Sequence, residues 1–189
     1  MNPDERLVER TLAGDLPAFE ELVERHRDAV YRVAARVVGP ADAEDVSQDT
    51  FVRAFHRLGR WRHEGSFRAW LLQIAHNAAL NAVAKQRPEP SGEEELAHHM
   101  DDPGRTPVAL LESRERTRRL ESKIGLLGAS HRTVLVLRDV EGLTYDEIAD
   151  VTESPVGSVK GRLHRARGEL IELLRHNTYD WELPDDGRE

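Results

Sequence analysis

The stretch Leu143–Leu170, LTYDEIADVTESPVGSVKGRLHRARGEL, constrains the fold more tightly than any other part of the chain. It reads as two short helices joined by a tight turn. Thr144 is placed to cap the first, with Glu147 three residues on at the capping-box spacing. Ile148, Ala149 and Val151 supply the apolar side. Glu153-Ser154-Pro155 then breaks the period: Ser154 suits a cap, and Pro155 suits a first helical turn, where its missing N–H costs nothing. Val156, Val159, Leu163, Ala166 and Leu170 form one inward stripe of the second helix. Lys160, Arg162, Arg165 and Arg167 lie off that stripe, and no acid occurs between Pro155 and Gly168. A helix-turn-helix laid in a DNA major groove accounts for the pattern, with base edges met by the N-terminal half of the second helix and phosphates held by its cations. A solvated amphipathic helix with a charged face is the plainer alternative.

The net charge of −8 opposes DNA binding only if it is spread evenly, and it is not. Residues 1–87 hold 13 cations and 13 acids; residues 88–107 hold one cation and six acids. Residues 108–175 hold 12 cations and 11 acids, and residues 176–189 one cation and five acids. The excess acid therefore sits in a connector and a tail. Arg53–Arg87 carries seven cations against Glu64 alone, which makes a second basic patch.

Both halves read as helix, so the expected fold is all-α: two small helical domains joined by a flexible acidic linker. Phe19, Leu22, Val23, Val30, Val33, Ala34 and Val37 follow a helical period that opens at Asp15 or Pro17 and stops at Gly39-Pro40. A second helix starts near Ala41–Asp45, with Val46, Thr50, Phe51, Ala54, Phe55 and Leu58 on one face. Gly59–Ser66 is a polar loop. A third helix runs from about Ser66 with Phe67, Trp70, Leu71, Ile74, Ala75, Ala78 and Val83 inward. Residues 88–107 contain four prolines, two glycines and six acids, too little apolar surface to order themselves. Periodicity resumes near Val108 through Leu110, Leu111, Leu120, Ile124 and Leu127, and a further helix spans Ser130–Val140. The expected domains are thus 1–87 and 108–175, with linker 88–107 and a short acidic tail 176–189.

Two further constellations stand out. In Asp42–Leu58 the face opposite the core shows Asp45, Gln48, Asp49, Val52 and His56. Early acids complement a helix dipole, but Gln48, Asp49 and an outward Val52 fit a partner surface better. Trp61–Arg87 mixes aromatics, amides and cations, the chemistry that takes up single-stranded nucleic acid. Its candidates are Trp61, Arg62, His63 and Ser66 in the loop, with Arg68, His76, Asn77 and Asn81 on the helix that follows. Enzyme readings find no HExxH, no GxSxG and no phosphate-cradling glycine loop. His98-His99 with Asp101-Asp102 falls in the acidic linker, so no metal site, catalytic residue or cofactor is expected. The chain has no cysteine, which removes disulfides and thiolate ligation. No apolar run approaches a membrane span, the N-terminus lacks a signal-peptide apolar region, and the expected location is the cytoplasm.

Together these constellations resemble the extracytoplasmic-function group of bacterial RNA polymerase sigma factors, which keep only the second and fourth conserved regions. DAEDVSQDTFVRAF looks like the segment that binds the polymerase clamp helices, and FRAWLLQIAHNAALN like the promoter-melting segment of region 2. HRTVLVLRDVEGLTYDEIADVTESPVGSVKGRLHRARGEL is similar to region 4. Where the group usually ends its melting helix in a run of arginines, this chain has AVAKQR, and Gly161 stands where many members carry serine or threonine.

The resemblance implies a promoter-recognition subunit without chemistry of its own. Asp45, Gln48, Asp49 and Val52 would dock on polymerase. Trp61, Arg62, His63, Ser66, Asn77 and Asn81 would hold the melted −10 strand. Ser158, Lys160, Gly161, Arg162, His164 and Arg165 would read the −35 element. The expected partners are core RNA polymerase (clamp helices and flap), promoter DNA and an anti-sigma factor. The alternative is a helix-turn-helix regulator that never joins polymerase, which leaves Asp42–Leu58 unexplained. A helical hydrolase using His63 or His76 is a third class, for which the sequence advertises no pocket.

Overall fold

In the computed structural model, which describes residues 2–62, 65–85 and 107–176 (side chains from 115 onward in the last segment), every regular element is helical. The linker from residue 88 to 106 and the tail beyond His176 lie outside the described residues. The first unit comprises α1 (Pro3–Leu12), α2 (Leu16–Val38), α3 (Pro40–Arg57), a 3₁₀ turn at Leu58–Arg60, and α4 (Phe67–Lys85). The second comprises α5 (Pro107–Gly125), α6 (Ala129–Leu135), a π-helical turn at Val136–Val140, α7 (Tyr145–Val151) and α8 (Val156–Arg175).

Helix α1 goes beyond the sequence expectation, although its start carries a full local signature. The Asn2 side chain accepts from the Asp4 N–H, Glu5 accepts from the Asn2 N–H at 2.9 Å, and Pro3 opens the first turn. Leu7 and Val8 bury against α2, and Asp4 reaches Arg25 at 2.8 Å and His26 Nε2 at 2.9 Å. Gly39 turns α2 into α3 at φ 87°, a left-handed value glycine adopts without a Cβ penalty, and Pro40 begins the new helix.

Helices α2, α3 and α4 pack around Leu22, Val30, Val33, Ala54, Leu71 and Leu72. Two expected core residues lie outside it: Val83 is 44% exposed and Phe55 is 41% exposed. Helix α4 is apolar on nearly every side, FRAWLLQIAHNAALNAVAK, so spacing alone does not choose its inward face. Phe55 instead meets Phe19 edge to face at 4.9 Å. In the second unit Ile148, Val159, Leu163 and Ala166 pack with Val134 and Leu137. The helix expected over Ser130–Val140 widens at its end, where the Glu141 N–H bonds the Val136 carbonyl five residues back at 2.9 Å.

The two units also pack on each other. Helices α2 and α4 meet α6 and α7, and one continuous set of buried side chains runs from Leu7 to Ala166. Two imidazoles sit inside this structure, His26 at 3% and His76 at 7% exposure. Burial pushes both below the ordinary histidine value of 6.5; for His26 it outweighs the opposing pull of Asp4. The unfolded chain then binds protons more readily than the folded one. Stability is full above about pH 6.5 and is lost as pH falls through the lowered folded values. His76→Gln is expected to flatten the fall in melting temperature as the pH drops below about 6.5. An unchanged slope would show that this histidine does not titrate with unfolding.

Candidate polymerase and nucleic-acid interfaces

Helix α3 presents two unlike faces. Ala43, Val46, Ser47, Thr50 and Ala54 point inward. The two buried hydroxyls bond back within the helix, Ser47 to the Ala43 carbonyl at 2.6 Å and Thr50 to the Val46 carbonyl at 2.7 Å, so neither is left unsatisfied. Asp45, Gln48, Asp49 and Val52 are exposed, as their spacing predicts. Asp49 pairs with Arg53 at 2.7 Å, and Val52 is 56% exposed. Beside this strip a groove of about 410 Å³ opens between α2 and α3, lined by Val23, Arg27, Tyr31, Gln48 and Phe51. An apolar floor with a polar rim is the composition of a docking surface. Sequence spacing could not reveal the floor, because its residues come from two helices.

The loop after α3 departs from expectation. Trp61 is 7% exposed and its ring meets Phe67 edge-on at 5.5 Å, so the core holds it and it is not a free stacking group. Ser66 accepts from the Ala69 N–H at 3.2 Å and donates to Glu147 of the second unit, a helix-capping and bridging role that leaves it engaged. Arg62 is exposed; His63 lies outside the described residues. Asn77 and Asn81 do converge. They line a cavity of about 390 Å³ with Arg53, Arg57, Trp70 and Gln73. Trp70, placed inward by its spacing, is half-buried and walls this cavity. Arg53 and Arg57 join the site only in the folded structure. Their spacing of four, one helical turn, was the available signal.

The helix-turn-helix forms as its residues dictate. The Thr144 hydroxyl accepts from the Glu147 N–H at 3.2 Å, and the Glu147 carboxylate accepts from the Thr144 N–H at 2.8 Å. Burial raises the Glu147 pKa, but hydrogen bonds from Ser66 and Thr144 outweigh it and hold the group below its ordinary value. Ser154 does not cap α8: its hydroxyl donates to the Thr152 carbonyl at 2.9 Å, and Pro155 takes the cap position. The local turn competes for the serine. Val159, Leu163 and Ala166 are buried, whereas Ser158, Lys160, His164 and Arg165 are exposed and Gly161 and Arg162 half-buried. Lys160 Nζ lies 5.4 Å over the Tyr145 ring. Arg167 is tied to both oxygens of Asp139, which raises its pKa further and takes it out of the free cation set. Ser158, Lys160, His164 and Arg165 present the exposed polar surface of the second helix. None of the described helices is long and apolar enough to cross a membrane.

Profiles described as Sigma-70 region 2 and Sigma-70, region 4 match residues 22–89 and 117–170. The chain is 36% identical over 178 residues to the ECF RNA polymerase sigma-E factor of Haemophilus influenzae, covering 89% of this chain and 93% of that protein. It is 31% identical over 177 residues to the ECF RNA polymerase sigma factor SigW of Bacillus subtilis, covering 89% and 95%. Among solved structures it resembles CnrH in complex with the cytosolic domain of CnrY, with a TM-score of 0.67, 31% identity, and coverage of 94% and 100%. The fold also matches the sigma factor RpoE bound to the anti-sigma factor NepR from Bartonella quintana, with a TM-score of 0.66, 23% identity, and coverage of 84% and 98%.

Proposed function

The chain belongs to the extracytoplasmic-function sigma factors of bacterial RNA polymerase, and from that premise we propose which of its surfaces meets which partner. As a sigma factor it joins core RNA polymerase and directs initiation at promoters. Residues 1–87 serve as region 2, 88–107 as the linker and 108–175 as region 4. The strip Asp45, Gln48, Asp49 and Val52, with the neighbouring groove, docks on the polymerase clamp helices. Arg62, Asn77 and Asn81, with Arg53, Arg57 and Trp70, take up the melted −10 strand. The exposed face of α8, through Ser158, Lys160, Gly161, Arg162, His164 and Arg165, reads the −35 element. The chain supplies no catalytic chemistry; polymerase does. It acts in the cytoplasm, and an anti-sigma factor holds it there until it is needed.

The observation that carries this reading is the outward acidic strip on α3, solvent-facing opposite a complete core face. A duplex-binding regulator that never joined polymerase would have no use for it. The test adds the full chain to core RNA polymerase on genomic template and sequences the 5′ ends of the transcripts. New, discrete start sites preceded by a shared pair of elements are expected. Starts identical to those of core enzyme alone would remove the reading.

In that holoenzyme, Lys160→Ala and Arg165→Ala should each reduce the slope of log affinity against log salt for promoter duplex, by about 0.9 for every phosphate the side chain neutralises. If either side chain reads a base, weaker sequence preference accompanies the weaker binding. An unchanged slope and preference in both variants would place the −35 contacts elsewhere.

A further inference from the structure

Lys160, Arg162, Arg165 and Arg167 all lie off the apolar stripe of α8, and the fold treats them differently. Arg167 is held by both oxygens of Asp139. Arg162 turns back along its own helix, its Nε donating to the Ser158 carbonyl at 3.4 Å. Arg165 also lies along α8, with Nη2 3.8 Å from where a Cβ on Gly161 would stand. Lys160 is set apart from these. Its Nζ stands over the ring of Tyr145, on the neighbouring helix α7, 5.4 Å from the centroid.

The ring is itself held. Tyr145 opens α7 directly after the Thr144–Glu147 capping box and packs against the region 4 core. The Arg138 guanidinium lies 4.8 Å from the same centroid, and its Nη1 is anchored by donating to the Leu143 carbonyl at 2.5 Å. An aromatic face is electron-rich, so it attracts an ammonium without neutralising it as a carboxylate would. Lys160 accordingly keeps its charge while remaining exposed. A lysine is a point charge on a flexible four-carbon stem, and immobilising such a side chain on binding costs affinity unless it is ordered beforehand.

We propose that the Tyr145 ring positions Lys160 for promoter DNA: its face holds the ammonium in place beside α8 and leaves the N–H donors free for a phosphate or a base edge. Tyr145 is thus a positioning residue, and Arg138 is the brace that fixes its ring. The inference rests on the assignment of Lys160 to the −35 element.

The chain has only three lysines, Lys85, Lys123 and Lys160, so carbon-13 labelling of lysine gives three side-chain signals, and Lys160→Arg identifies one of them. In the free chain the ring current should move the Lys160 methylene protons beside Nζ upfield. That shift should persist in Tyr145→Phe and vanish in Tyr145→Leu. Binding is then measured in holoenzyme on promoter duplex. Tyr145→Phe keeps the ring face and should bind as the parent does. A trifluorinated phenylalanine at position 145 keeps the shape but drains charge from the face. Relative to Tyr145→Phe it should weaken binding about two- to fivefold. In the Lys160→Ala background the same fluorination should change nothing, because the cation that the ring holds is gone.

A Lys160 signal at its ordinary position in the parent overturns the contact. Unchanged binding by the fluorinated ring overturns the positioning, and tighter binding would show that the ring competes with DNA for the ammonium. An equal loss in the Lys160→Ala background would trace the effect to another group and reject the role of Lys160. A loss already present in Tyr145→Phe would place the contact in the hydroxyl, against the proposal. Should Tyr145→Leu fail to fold, the phenylalanine and its fluorinated form, which preserve the ring's packing, decide. Failure of the −35 assignment appears separately, as full promoter affinity and an unchanged salt slope in Lys160→Ala, and takes the proposal with it.

Discussion

Asp45→Arg together with Asp49→Arg is expected to abolish binding to core RNA polymerase and leave the chain folded. Both side chains are exposed on the face of α3 opposite its buried residues, so their replacement disturbs no packing. The local cost is small. Asp49 forms an exposed i,i+4 pair with Arg53, and converting it to a like-charge pair costs about 0.2–0.5 kcal/mol. At the docked surface the effect is larger, because like charges brought together across a matched interface cost several kcal/mol. Pull-down of core enzyme by the double variant should fall to background, with circular dichroism and melting temperature near those of the parent. Glu172→Arg, a reversal on α8 remote from the strip, is the control for charge alone. Undiminished pull-down of core enzyme by the double variant would reject α3 as the docking face.

The second large effect separates Trp61 from its neighbours. Trp61→Ala is expected to destabilise region 2 by about 3–5 kcal/mol, the usual cost of removing a large buried aromatic. It is 7% exposed and braced edge-on against Phe67. Arg62→Ala is exposed and should stay within about 0.5 kcal/mol of the parent. Promoter opening should show the reverse order. Asn77→Ala with Asn81→Ala removes amides from the cavity shared with Arg53, Arg57 and Trp70. Unpaired bases then lose the hydrogen bonds that offset the few kcal/mol of unstacking. Holoenzyme carrying the double variant should form closed complexes but lose permanganate-reactive thymines at the start site. A pre-melted bubble template should restore transcription. Full permanganate reactivity would place the strand elsewhere. A denaturation midpoint unmoved by Trp61→Ala would return that indole to the loop surface.

The contrast between Trp61 and Asp45 shows where sequence reasoning reaches. Asp45, Gln48, Asp49 and Val52 were readable as outward because α3 carries a complete inward stripe, and one helical period places both faces at once. The helix-turn-helix was readable for the same reason, through the Thr144–Glu147 box and the stripe of α8. Arg53 and Arg57 joined the candidate cavity only once α3 and α4 were packed together. Trp61 sits in a loop with no period, so only its contact with Phe67 reveals that the core needs it.

By itself the sequence determined the helices from α2 onward, the Thr144 cap of α7, the break at Gly39-Pro40, the acidic connector and the order of the two regions. Each depends on residues within a turn or two of one another, so local geometry and hydrophobic spacing suffice. The tertiary structure alone decided that Glu141 meets Arg32, 109 residues away, and Arg68, 73 residues away, and that Ser66 and Asn77 face carboxylates of region 4. No spacing rule encodes those pairs. They exist because the docking of α2 and α4 on α6 and α7 buries a charge that must find its counter-charge wherever the packing brings one.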